Sequence, residues 1–92
     1  MGFFSSGPSL KEVDRYSIET IDRFIGSGLQ VRHVDRKQFD RLLDELAKYS
    51  EHHNLGMMKK AAIMGKLELF LSQAVSAPER HEFMKAVRSR FA

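Results

Sequence analysis

The sequence predicts an all-α domain, a small bundle of about four helices. Three observations carry that reading. A short polar residue stands three positions before a Glu or Gln at Ser9/Glu12, Asp35/Gln38 and Ser76/Glu79; in such a capping box one side chain accepts from an orphan backbone N–H while the other reaches back. Each box precedes apolar residues at three- and four-residue spacing, the pattern of a helix with one buried face. Gly26, Gly28, Asn54 and Gly56 interrupt those runs, and residues of this kind tolerate the positive φ that closes helices.

A chain of 92 residues, 42% hydrophobic and 29% charged, suits one domain with its own core. The expected division is a flexible N-terminal tail over 1–8, ending at Gly7-Pro8, and a helical bundle domain over 9–92. The first helix is predicted from about Leu10 to Ile25. Leu10, Val13, Ile21 and Phe24 form its stripe, Ile18 and Ile25 widen it, and the opposite surface is charged. Residues 26–34 alternate apolar and polar side chains, but no second strand is available to pair with them, so a loop is expected.

The second helix is predicted from Arg36 to about His53, with Phe39, Leu42, Leu43 and Leu46 on one side. Val34 and Phe39 flank its cap as a hydrophobic staple. The third, about Met57 to Val75, is apolar over more than half its circumference and is predicted to be central. Ala61 and Gly65, four apart, suggest a close helix crossing, since Gly costs a helix about 1 kcal/mol relative to Ala. An apolar surface beyond what three other helices can cover predicts dimerisation through this helix. The fourth helix follows Ser76, accepts Pro78 in its first turn, and buries Phe83, Met84, Val87 and Phe91.

Function is less legible. The absence of cysteine excludes disulfides and thiol chemistry, and the chain is expected in the cytoplasm. Lys59, Lys60, Lys66 and Glu68 interrupt the most hydrophobic stretch, so no membrane span is predicted. Nothing before Lys11 reads as a secretory signal. Gly2 followed by Ser6 fits the short N-myristoylation pattern, for which a simple tail is the plainer reading. His52, His53 and His81 lack the spacing that sets two metal ligands on one helix face. No nucleophile motif or phosphate loop is present, so neither catalysis nor a cofactor is expected.

The remaining reading is a non-enzymatic interaction module, an adaptor, regulator, inhibitor or assembly component, whose partner is another protein or a second copy. Its expected contact residues are Phe3, Phe4, Met57, Met58, Met64 and Phe91; methionine suits both irregular cores and adaptable binding grooves. The alternative is a weak nucleic-acid or anionic-surface binder. Residues 1–51 carry eight Lys/Arg against nine Asp/Glu and residues 52–92 seven against three. Lys59, Lys60, Lys66, Arg88 and Arg90 would make the contacts. Against it, Glu79 and Glu82 occupy the first turns of the fourth helix, where a recognition helix usually meets DNA.

Overall fold

A computed structural model describes residues 7–26 and 33–91. It contains four helices, α1 (Leu10–Phe24), α2 (Arg36–His52), α3 (Met57–Ala74) and α4 (Ala77–Phe91), and no strand among the described residues. Residues 1–6 of the predicted tail and 27–32 of the predicted loop lie outside the described residues.

The helix ends follow their local chemistry. At α1 the full capping box forms: the Glu12 N–H donates to Ser9 Oγ at 3.2 Å, and the Ser9 N–H donates to Glu12 Oε1 at 2.7 Å. Gly26, at φ +118°, closes the other end, with its N–H reaching the Ile21 carbonyl. At α2 only half of the predicted box is present, Asp35 Oδ2 accepting from the Gln38 N–H at 3.0 Å. Val34 and Phe39 are both buried, as a staple requires.

The α2 C-terminus is a Schellman motif. Asn54 takes φ +50°, its N–H donates to the Glu51 carbonyl, and the Leu55 N–H donates to Ser50. Leu55 is buried, supplying the hydrophobic contact that accompanies this turn. At the third predicted box the observed bond joins the side chains, Ser76 Oγ donating to Glu79 Oε1 at 3.2 Å. Gly56 begins α3 with no side-chain cap, and no acidic residue complements the dipole in the first turn. Packing therefore stabilises α3 more than its local sequence does.

The helices form two antiparallel hairpins laid side by side in the same sense. Tyr16 meets Tyr49 and Arg23 meets Glu45, which sets α1 antiparallel to α2. Glu12 lies in the field of Lys59, and the C-terminal halves of α1 and α3 share a groove, so these two run parallel. Phe39 meets Phe83 and Asp44 meets Arg90, so α2 and α4 are also parallel. The resulting order around the core is α1, α3, α4, α2, with α2 and α3 diagonal although only 53–56 joins them. Stacking helix pairs in this way is the arrangement α-solenoids repeat.

The core draws on all four helices, with Val13, Phe39, Leu42, Leu46, Ile63, Leu67, Leu71 and Val87 fully buried. Two residues outside the expected apolar stripe complete the α1 face. Ser17 and Thr20 are buried, and their hydroxyls donate to the Val13 and Tyr16 carbonyls at 2.8 and 2.6 Å. Bonded within their own helix, these hydroxyls cost little on burial and allow a close approach. Of the predicted stripe, Leu10 and Ile18 remain 43% and 52% exposed.

The expectation of a central third helix requires correction. α3 packs between α1 and α4, with Ile63, Leu67, Phe70, Leu71 and Ala74 inward, but its outer side is uncovered. The close crossing expected at Gly65 does not occur within the chain, because a Cβ added there would meet nothing within 4 Å.

Candidate interaction surface

The uncovered side of α3 is a candidate site because of what it lacks. Met58, Ala61, Gly65, Leu69 and Ser72 succeed one another at three- and four-residue spacing and so share one face. None carries a charge. Met58 is 74% and Leu69 54% exposed, and Met57 at the helix start is 87% exposed. Large apolar side chains scattered singly are ordinary on a surface, whereas a continuous strip is the usual mark of an interaction face.

Beside the strip lies a groove of about 240 Å³ between α1 and α3. Its walls include Ile18 and Ile21 of α1 and Leu69 and Phe70 of α3, with Asp22 and Lys66 at its edges. Ile21 and Phe70 are anchored in the core, while Ile18 and Leu69 stand half exposed on either side. This arrangement offers a concave apolar seat between two apolar ridges, as a partner's aliphatic or aromatic anchor requires.

The predicted contact residues separate into groups. Met57 and Met58 are exposed, and Met58 belongs to the strip. Met64 is half buried and packs against the core. Phe91 is 5% exposed and belongs to the core; its placement at a contact surface is corrected on that ground. Phe3 and Phe4 lie outside the described residues. Sequence reasoning did not single out Ile18 and Leu69 as exposed, because periodicity assigned both to buried faces.

The predicted basic residues do not converge. Lys66 edges the α1/α3 groove, whereas Lys60 and Arg90 line a cleft beside Phe91, and Arg88 lies in a third cleft with Arg80, His81 and Glu68. Lys59, half buried at the start of α3, stands close enough to Glu12 to help lower its pKa. Arg90 is engaged, its Nη1 donating to Asp44 Oδ1 at 2.7 Å. Asp44 thus pairs between helices, and Arg23 likewise with Glu45 at 4.0 Å.

On the opposite flank the Tyr16 and Tyr49 rings stack at 3.8 Å, 12° from parallel, and His53 meets Tyr49 edge-on. Burial, with the charges of Glu12 and Tyr16 adding to it, raises the Tyr49 hydroxyl above its ordinary 10. The Glu12 carboxylate is held below its ordinary 4.5, chiefly by the Ser9 N–H. No group of three or more His, Asp or Glu side chains converges as a metal site among the described residues. No helix among them is long and apolar enough to cross a membrane. No family model matches the chain, and no curated protein or solved structure shows significant similarity to it.

Proposed function

We propose that this chain is a non-enzymatic protein-interaction module, acting in the cytoplasm as an adaptor, regulator, inhibitor or assembly component. The observation that supports this most is the uncharged outer strip of α3 with the apolar groove beside it. Water against that strip is released when a partner covers it, a gain of about 25 cal/mol for each Å² of apolar surface removed. The groove adds direction, because an anchor seated between Ile18 and Leu69 fixes the register of whatever binds.

Nucleic-acid binding is the weaker alternative. Of the five cations, Lys66, Arg88, and Lys60 with Arg90 line three different clefts, Lys59 lies near Glu12, and Arg90 is paired with Asp44. Phosphate binding gains its strength from several cations on one track.

Capture of partners on the immobilised full chain tests the reading, wild type beside a Met58→Asp/Leu69→Asp variant. Both positions are more than half exposed, so the variant should retain its helicity, which circular dichroism checks. A partner held by the wild type and released from the variant supports the module. Equal capture by both, or capture only of nucleic acid eluted by salt, would count against it.

A further inference from the structure

The outer strip of α3 lies between two charged borders, and the charges next to it on α3 itself, Lys66 and Glu68, are opposite in sign. On the α1 side stand Lys66 and, across the groove, Asp22. On the α4 side stands Glu68, with Arg80 and Arg88 beyond it on the wall of the next cleft. None of these five makes an ion pair within 4.0 Å among the described residues.

A two-fold axis running along the strip brings the α1 border of one copy against the α4 border of another. Lys66 then faces Glu68 of the second copy, and Asp22 faces its arginines, each contact occurring twice. A two-fold axis set across the strip would instead oppose Lys66 to its own equivalent and Glu68 to its own, leaving only the more distant Asp22, across the groove, to meet the second copy's Lys66. Charge therefore selects a parallel pairing of the two α3 helices.

The area suffices for a pair in either orientation. From their exposure, Ile18, Met58 and Leu69 with their small neighbours present roughly 400 Å² of apolar surface. One side of a standard interface buries about 800 Å², a little over half of it apolar. Gly65, at the middle of the strip with open space outside it, lets two helix axes approach to the short end of the usual packing distance.

We propose that this face binds a second copy of the chain, α3 against α3 in parallel, about an axis along Met58, Gly65 and Leu69. The proposal rests on the protein-binding reading given above and names its partner.

Sedimentation equilibrium of the full chain, from about 1 µM to 1 mM, tests it. The wild type should reach twice its 10.6 kDa mass, with a dissociation constant on the order of 1–100 µM. Leu69→Asp should raise that constant about 100-fold without loss of helicity. Gly65→Arg, at a site with room for a side chain, should do the same. Lys66→Glu and Glu68→Lys should each weaken association, and the two together should restore it. A double variant no better than either single one would overturn the parallel arrangement.

A wild type that stays monomeric at about 1 mM would overturn the second copy as occupant. If that monomer still loses a captured protein on Leu69→Asp, the protein-binding reading stands; if capture is also unchanged, both fall.

Discussion

Gly65 and Leu67 stand two residues apart on α3 and face opposite ways: a Cβ at Gly65 would meet nothing within 4 Å, while Leu67 is fully buried. The difference separates what holds the domain together from what it presents to others. Gly65→Ala should stabilise the fold by about 0.5–1 kcal/mol, because the added methyl restores helix propensity without a clash. Chemical denaturation well below about 1 µM, where the proposed pair is dissociated, measures this, and destabilisation there would mean that the site is not open.

Leu67→Ala should cost about 2–5 kcal/mol, the range for truncating a buried leucine whose surroundings relax only in part. In a domain of this size that is a large share of the total stability. A shift of the denaturation midpoint equivalent to less than about 1 kcal/mol would contradict the packing described for α3.

The stacked Tyr16 and Tyr49 rings join α1 to α2 where no other aromatic contact between those helices is seen among the described residues. A double-mutant cycle with Tyr16→Leu and Tyr49→Leu should return a coupling of about 0.5–1.5 kcal/mol beyond area burial. Additive losses would mean that the rings touch without mutual preference.

Glu12 gives the acid limb of stability a defined sign. Its folded pKa lies below the ordinary 4.5, so the folded state favours the carboxylate more than the unfolded chain does. The stabilisation is fully present above about 4.5 and is lost as pH falls through the lower folded value. Urea midpoints for the wild type and Glu12→Gln, measured from pH 7 down to pH 3, should therefore converge at the acid end. Curves that stay parallel would remove the capping carboxylate as the cause.

Helix positions were readable because their signals are local. Ser9 with Glu12, Asp35, and the Asn54-Leu55-Gly56 break act through backbone groups within a few residues, and each marks a boundary in the structure. Helix adjacency was not readable, because nothing local tells the chain that 53–56 carries α3 past α2 to the side of α1. Gly65 was misassigned for that reason: its spacing from Ala61 signals close approach but does not say to what. Ser17 and Thr20 were missed because hydropathy does not record a hydroxyl bonded to its own helix. The candidate face was visible in part through Met58, but Leu69 and Ile18 emerged as exposed ridges only once the neighbouring helices were in place.

The α1/α3 face, and not the exposed side of α2 that carries Arg41, is expected to meet other proteins. A photo-crosslinking side chain placed at Leu69, with a control at the exposed Arg41 of α2, tests it most directly in living cells. A discrete protein adduct is expected from position 69, either with a second copy of the chain or with one other protein, and none from position 41. Adducts from position 41 alone, or none from position 69 under conditions where the folded chain accumulates, would contradict it.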